Sequence, residues 1–309
     1  MVTVLTDADI AERLDARSAV GWMREAVLAA HSGALHTPPR VSTELGDGRL
    51  VFTTGALTGE WYGYRSYDSF SFDPGAQLVV VHDWHTGAVR GLAVGNELGP
   101  RRVGAIGAVA LDALAAPTAT SLGLVGTGTQ AWNQLWAIST VRSLTSVTVF
   151  SRDPVRRIAF VARVSAELGL PVTAARSARE AVEGRDLVVL ATNSPVAVVE
   201  ASWIAPGSYV TTLGPKQIGR AEFGPDLVAR ADVAVTDSVA QTSAYDPPFI
   251  LTGTEQHDRL TSLGAVLAGE APGRTSADQT VIFCSVGLAG TEAFLLARLI
   301  DSASWSSVR

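Results

Sequence analysis

Leu122-Gly123-Leu124-Val125-Gly126-Thr127-Gly128-Thr129-Gln130-Ala131 is a short apolar run that breaks into a glycine-rich turn and continues into a segment of helical pattern. The turn has the spacing G-x-G-x-x-A. Between a strand and a helix, each of its positions has a physical task. The first glycine permits the tight turn, and the second lets a pyrophosphate approach the backbone. Ala131 allows helix and strand to pack closely, and the helix N-terminus offers unpaired N–H groups to negative charge. The stretch therefore predicts a Rossmann module, with Gly126, Thr127, Gly128, Thr129 and Gln130 around the phosphates of a dinucleotide.

The flanking sequence supports this context. From Pro117 onward apolar strands alternate with helical segments, the pattern of a doubly wound parallel sheet. Strands are expected at 121–125, 146–150, 171–174, 187–191, 208–213 and 233–236, and helices at 129–142, 153–168, 177–183 and 222–231. Upstream the texture differs. Helical spacing of Leu14, Ala19, Val20, Met23, Val27 and Ala30 predicts one helix over 7–32, capped by Thr6 or Asp7. Short β-like runs follow at 41–45, 50–54, 61–67, 78–81 and 89–94. The turns Gly46-Asp47-Gly48, Asp73-Pro74-Gly75 and His85-Thr86-Gly87 punctuate them, as in an antiparallel meander. An Ala-rich helix is expected over 99–115, and a long apolar helix over 275–300.

The chain has 309 residues, 47% hydrophobic and 17% charged, which suits a well-packed protein of two lobes. The formal charge of -6 argues against non-specific nucleic-acid binding, which needs a basic face. No apolar run is long enough to span a membrane. One cysteine, Cys284, cannot make an internal disulfide. With no basic or apolar leader at the N-terminus, the expected location is the cytoplasm.

The tip of the second Rossmann strand selects between cofactors. An NAD-preferring site usually has Asp or Glu there for the ribose 2′-hydroxyl. Here Ser151-Arg152 takes that place, with Arg156 one helical turn on. A guanidinium fork suits a 2′-phosphate, so NADP(H) is expected over NAD(H). Asp153 and Pro154 are expected to cap and start the next helix.

These features together resemble the ornithine cyclodeaminase/μ-crystallin family over nearly the whole length. The resemblance rests on Pro38-Pro39-Arg40-Val41, Tyr64-Arg65-Ser66-Tyr67, Arg101-Arg102-Val103-Gly104-Ala105, the phosphate loop, and Val281-Ile282-Phe283-Cys284-Ser285-Val286-Gly287. It implies a homodimer whose substrate-binding and dimerisation domain (1–115) is completed by a C-terminal segment (276–309) around a Rossmann domain (116–275). It also implies hydride exchange at a carbon–nitrogen bond beside a carboxylate. Arg40 and Arg102 fall on positions that clamp the substrate carboxylate, and Arg65 on a substrate-contacting position that is usually lysine. Thr192, Ser285 and Gly287 fall on segments near the nicotinamide.

One departure decides the branch. In Leu213-Gly214-Pro215-Lys216-Gln217-Ile218-Gly219-Arg220, Lys216 stands where cyclodeaminases carry an aspartate that acts on the substrate amine. A protonated lysine cannot serve as that base. The expected activity is an NADPH-dependent imine (ketimine) reductase acting on a small, cyclic imine with a carboxylate, or the reverse amino-acid dehydrogenase. Lys216 or water would donate the proton. Cyclodeamination, and NADPH-dependent ligand carriage without turnover, are the alternatives. His82 and His85 around Asp83-Trp84 read as a hairpin turn, so no metal is expected.

Overall fold

The computed structural model describes residues 2–70 and 77–306. The chain divides into two compact units, 1–102 with 287–309, and 103–286. The expected turn Asp73-Pro74-Gly75 lies outside the described residues. Among those described, no helix is long and apolar enough to cross a membrane.

The first unit begins with β1 (Thr3–Leu5), α1 (Asp7–Arg13) and α2 (Ala16–His31). The single helix expected over 7–32 is therefore two. Thr6 caps the first in a capping box with Asp9, and the break comes where Asp15 caps the second by accepting from Ser18 N. A strong N-cap inside a helical pattern ends one helix as readily as it starts the next. Then come β2 (Leu35–His36), β3 (Val41–Leu45), β4 (Gly48–Leu57), β5 (Trp61–Asp68), β6 (Gln77–Asp83) and β7 (Val89–Gly95). β3 to β7 form the expected antiparallel meander, and β1 joins it parallel to β7. Side chains alternate across the sheet. Leu5, Val51, Trp61, Val79, Val81 and Ala93 are buried on one face, where α2 and α11 (Thr291–Ser306) pack. The Trp61 ring meets the Phe294 ring edge-on.

α3 (Leu98–Leu114) leads from the first unit into the second. There the strands are β8 (Ser121–Val125), β9 (Ser146–Phe150), β10 (Val172–Ala174), β11 (Leu187–Leu190), β12 (Tyr209–Thr212), β15 (Val233–Thr236), β16 (Thr261–Ser262) and β17 (Val281–Cys284). A small hairpin, β13 (Lys216–Gln217) and β14 (Arg220–Ala221), follows β12. The helices are α4 (Thr129–Ile138), α5 (Pro154–Leu168), α6 (Ala178–Val182), α7 (Pro225–Ala229), α8 (Val239–Ser243), α9 (Glu255–Asp258) and α10 (Leu263–Leu267). The large sheet is parallel throughout, in the order β10-β9-β8-β11-β12-β17-β15-β16. This is the doubly wound α/β fold.

The long helix expected over 275–300 is not formed. Val281–Cys284 is a strand inserted between β12 and β15, and the helix starts at Thr291, after Gly287 and Gly290. A four-residue apolar run reads equally well as a buried strand or as a turn of buried helix. The β-branched and aromatic content of Val-Ile-Phe favoured the strand.

Candidate functional site

Because β8, β9, β11 and β12 run in parallel, the loops after them gather at one edge of the sheet. They enclose a cleft of about 950 Å³. Residues 126–130, Ser151, Arg152, Arg156 and Thr192 all line it, together with Gly214. The phosphate loop is shaped by close approach. Gly126 has φ +123°, and a Cβ there would lie 2.1 Å from the Ala191 carbonyl oxygen. A Cβ on Gly128 would meet nothing within 4 Å. Gly128 is also the N-cap of α4 and supplies no side-chain acceptor to the helix's first N–H groups. Gln130 Oε1 is buried without a hydrogen-bond partner. Unsatisfied donors at a helix N-terminus beside an open glycine are what a pyrophosphate needs.

At the β9 tip, Asp153 caps α5 through Val155 N and Arg156 N, at 2.9 and 3.1 Å, with Pro154 at the first helical position. Its carboxylate is engaged with the helix end. The Arg152 and Arg156 side chains stand at the cleft, Arg156 3.5 Å from Asp153 Oδ2 and exposed.

On the opposite side of the phosphate loop the cleft wall is held by Glu222, a residue that sequence reading passed over. Its Oε2 accepts from Thr192 N and Oγ1, at 2.9 and 2.8 Å, and its Oε1 accepts from Leu213 N and Gly214 N. Lys216 is buried, and its Nζ donates to the Gly214 carbonyl at 2.6 Å. Its charge opposes the effect of burial on Cys284, whose thiol is pushed up to about 11. Ser285 and the Val286 N–H both donate to Asp237, another buried carboxylate, at 3.3 and 2.7 Å.

In the first unit, Arg65 and Arg102 converge on Glu292, which projects from α11 and is fully buried. Arg65 Nη1 donates to Glu292 Oε1 at 2.6 Å, and Arg102 Nη2 donates to the same oxygen. Arg65 is further fixed by Gln77, which accepts from its Nε and Nη2, and by the Tyr67 ring beneath it at 4.2 Å. Arg102 Nε and Nη1 are buried without hydrogen-bond partners. A Cβ on Gly287, which has φ +92°, would lie 3.8 Å from Arg102 Nη1 and 4.0 Å from Arg40 Nη2. Arg102 and Arg40 thus both approach Gly287, whose positive φ favours glycine. Glu292 could have been suspected from sequence: an acid amid Ala293-Phe294-Leu295-Leu296 needs a cationic partner when buried. His82 and His85 belong to the β6–β7 turn. His82 Nδ1 sits 3.1 Å from the Gly87 carbonyl and its ring stacks on Tyr62, while the His85 N–H donates to Asp83.

Comparison with known proteins fits this arrangement. The profile of the ornithine cyclodeaminase/mu-crystallin family matches residues 1–307. The chain belongs to that family. It is 28% identical over 230 residues to a Delta(1)-pyrroline-2-carboxylate reductase of Bacillus cereus, covering 73% of this chain and 70% of that one. It is 33% identical over 205 residues to the iminosuccinate reductase of Paracoccus denitrificans, covering 66% of this chain and 63% of that one. The solved structure of the Paracoccus denitrificans enzyme with NAD+ superposes with a TM-score of 0.88 at 25% identity, covering 99% and 98% of the two chains. The Thermococcus litoralis Delta(1)-pyrroline-2-carboxylate reductase, solved with NADH and L-proline, shares the fold with a TM-score of 0.90 at 24% identity, covering 99% and 98%. The chain is accordingly an enzyme, an oxidoreductase acting on carbon–nitrogen bonds.

The Arg65–Glu292–Arg102 cluster carries a testable electrostatic signature. Burial opposes ionisation of Glu292, but the Arg102 and Arg65 guanidinia outweigh it and hold the carboxyl below its ordinary value of 4.5. A lowered folded-state pKa gives stability that is present above pH 4.5 and lost as pH falls through the folded value. Glu292→Gln should cost about 3–5 kcal/mol near neutrality, because it leaves two buried cations without their counter-charge. The gap from wild type should close in acid. Urea denaturation between pH 3 and pH 8 reads this directly, and a gap constant across that range would contradict the ion-pair account.

Proposed function

We propose that this oxidoreductase is an NADPH-dependent imine (ketimine) reductase acting on a small, cyclic imine that bears a carboxylate, or on the corresponding amino acid in reverse. The observation that carries the reading is Arg102: a buried guanidinium whose Nε and Nη1 lack protein partners, next to an open glycine that Arg40 also approaches. A substrate carboxylate supplies an acceptor for Arg102 Nη1, and charge-assisted pairing there would fix the imine's orientation. Arg65 is tied to Gln77 and Glu292, so it contributes charge and rigidity as well as its remaining N–H groups.

A bound nicotinamide dinucleotide supplies hydride to the imine carbon. Of the two proton sources expected for the imine nitrogen, water is favoured over Lys216, whose Nζ donates to Gly214 O and which does not line the cleft. The preference for NADP(H) rests on Arg152 and Arg156 at the β9 tip; Asp153 also lines the cleft there, with its carboxylate capping α5 and lying 3.5 Å from Arg156. The two solved relatives described above were solved with NAD+ and NADH and lend the preference no support, so it rests on the β9 tip of this chain alone. In that reading, 1–102 with 287–309 bind substrate and 103–286 bind the cofactor.

The proposal includes a homodimer formed through the first sheet. Val4, Tyr62 and Val94 share the sheet face opposite to α2 and α11, and Val41 and Leu45 are in register with it through β4. All five are exposed, and a contiguous apolar sheet face is a usual association surface. A cytoplasmic setting completes the proposal, since the lone Cys284 is buried as a free thiol.

A spectrophotometric panel tests the assignment. Pyrroline- and piperideine-carboxylates should oxidise NADPH, and Arg152→Ala should raise the KM for NADPH far more than that for NADH. An equal effect on both cofactors would remove the NADP(H) preference. Proline formed from ornithine without net cofactor change would point to cyclodeamination, and saturable binding without turnover to a carrier. Sedimentation of the same preparation as a 32.3 kDa species would contradict the dimer.

A further inference from the structure

Two loops of the cleft wall, after β11 and after β12, are joined through the side chain of Glu222. One carboxylate oxygen takes both donors of Thr192, and the other takes the consecutive N–H groups of Leu213 and Gly214. The Glu222 backbone is held as well: its N–H donates to Pro215 O, and its carbonyl accepts from Val198 N. From the other direction Lys216 Nζ donates to Gly214 O, so both polar groups of that residue are fixed by buried ionisable side chains. A Cβ at Gly214 would lie 2.2 Å from Thr192 O, so the two loops pack against each other with no space for a side chain at that position.

The sheet order says which part of the cleft this bracket shapes. The β9 tip, with Arg152, lies on one side of the phosphate loop, and the β11 and β12 loops lie on the other. A dinucleotide spanning the switch point places its adenosine half at the first and its nicotinamide half at the second. On the reading that this cleft binds a dinucleotide, we infer that Glu222 is a positioning residue for the nicotinamide half: it touches no ligand, and it sets the placement of Thr192 and Gly214 against the ring and ribose. Lys216 serves the same loop, which gives a buried lysine at this place a task other than proton transfer.

A carboxylate is required because all four of its partners are donors. An amide at this position would turn an NH2 group toward two of them, and buried donors left facing donors are costly. Calorimetric titration of wild type, Glu222→Gln and Glu222→Asp should be made with NADPH and with adenosine 2′,5′-bisphosphate, which fills the adenosine half alone. Glu222→Gln should weaken NADPH at least about tenfold. The bisphosphate should change by no more than about twofold, since its contacts are remote from the bracket. Glu222→Asp keeps the charge but is too short to reach both loops. It should show the same selective loss in smaller degree, and it decides the matter if the glutamine variant does not fold. Equal losses for both ligands would make Glu222 a general structural residue, and unchanged NADPH binding would remove its role altogether. Failure of wild type to bind either ligand while NADH still binds would overturn the NADP(H) preference and move the same comparison to NADH and adenosine 5′-diphosphate; failure with NADH as well would overturn the assignment of the cleft.

Discussion

The constraint on which the second unit depends is the common direction of its strands. A parallel sheet brings the carboxyl ends of β8, β9, β11 and β12 to one edge, so four loops far apart in sequence surround one cleft. That edge also collects the amino end of α4, and with it N–H groups that have no side-chain cap. Close approach at Gly126 holds the loop against Ala191 O and leaves the cleft side open. The proposed anion site is thus built mainly from backbone. Side chains enter at its two ends, Arg152 and Arg156 at one and the Thr192–Gly214 wall at the other.

Buried carboxylates perform the remaining organisation, and none of them is placed against the expected ligands. Glu222 joins two cleft loops, Asp237 holds Ser285 and Val286, and Glu292 fixes Arg65 and Arg102. An ionised group inside a protein needs partners of opposite charge or hydrogen-bond donors close by, although Glu292 meets this through Oε1 alone and its Oε2 has no hydrogen-bond partner. Each of these acids therefore imposes a geometry on what it touches. This explains how flexible arginines and glycine-bearing loops can be held in fixed positions.

Much of this was legible from sequence. The turn after Val125 is legible as a strand-to-helix turn because a Cβ at Gly126 would meet Ala191 O, and the alternation of strands and helices after Pro117 places it. Strands 121–125, 146–150 and 233–236 have the expected bounds, and the meander strands start and stop within a few residues of expectation. The errors share a cause. Asp15 ended a helix that its apolar spacing continued, because a local cap competed with periodicity. Val281–Cys284 became a strand because its place between β12 and β15 is set by tertiary pairing, which a four-residue run does not encode. Arg40, Arg65 and Arg102 were visible as candidates and Glu292 had a signal in its apolar surroundings, whereas nothing local distinguishes Glu222 and Asp237 from solvated acids.

The central claim is net hydride transfer to an imine carbon, as opposed to an internal shuttle or to binding alone. Its most direct test uses NADPH carrying deuterium at the transferable C4 position, with a cyclic imino acid as substrate and mass spectrometry of the product. The account predicts one deuterium at the former imine carbon of the amino acid, with one equivalent of NADP+ formed per product. Product without deuterium, or cofactor recovered in its reduced form after turnover, would contradict it.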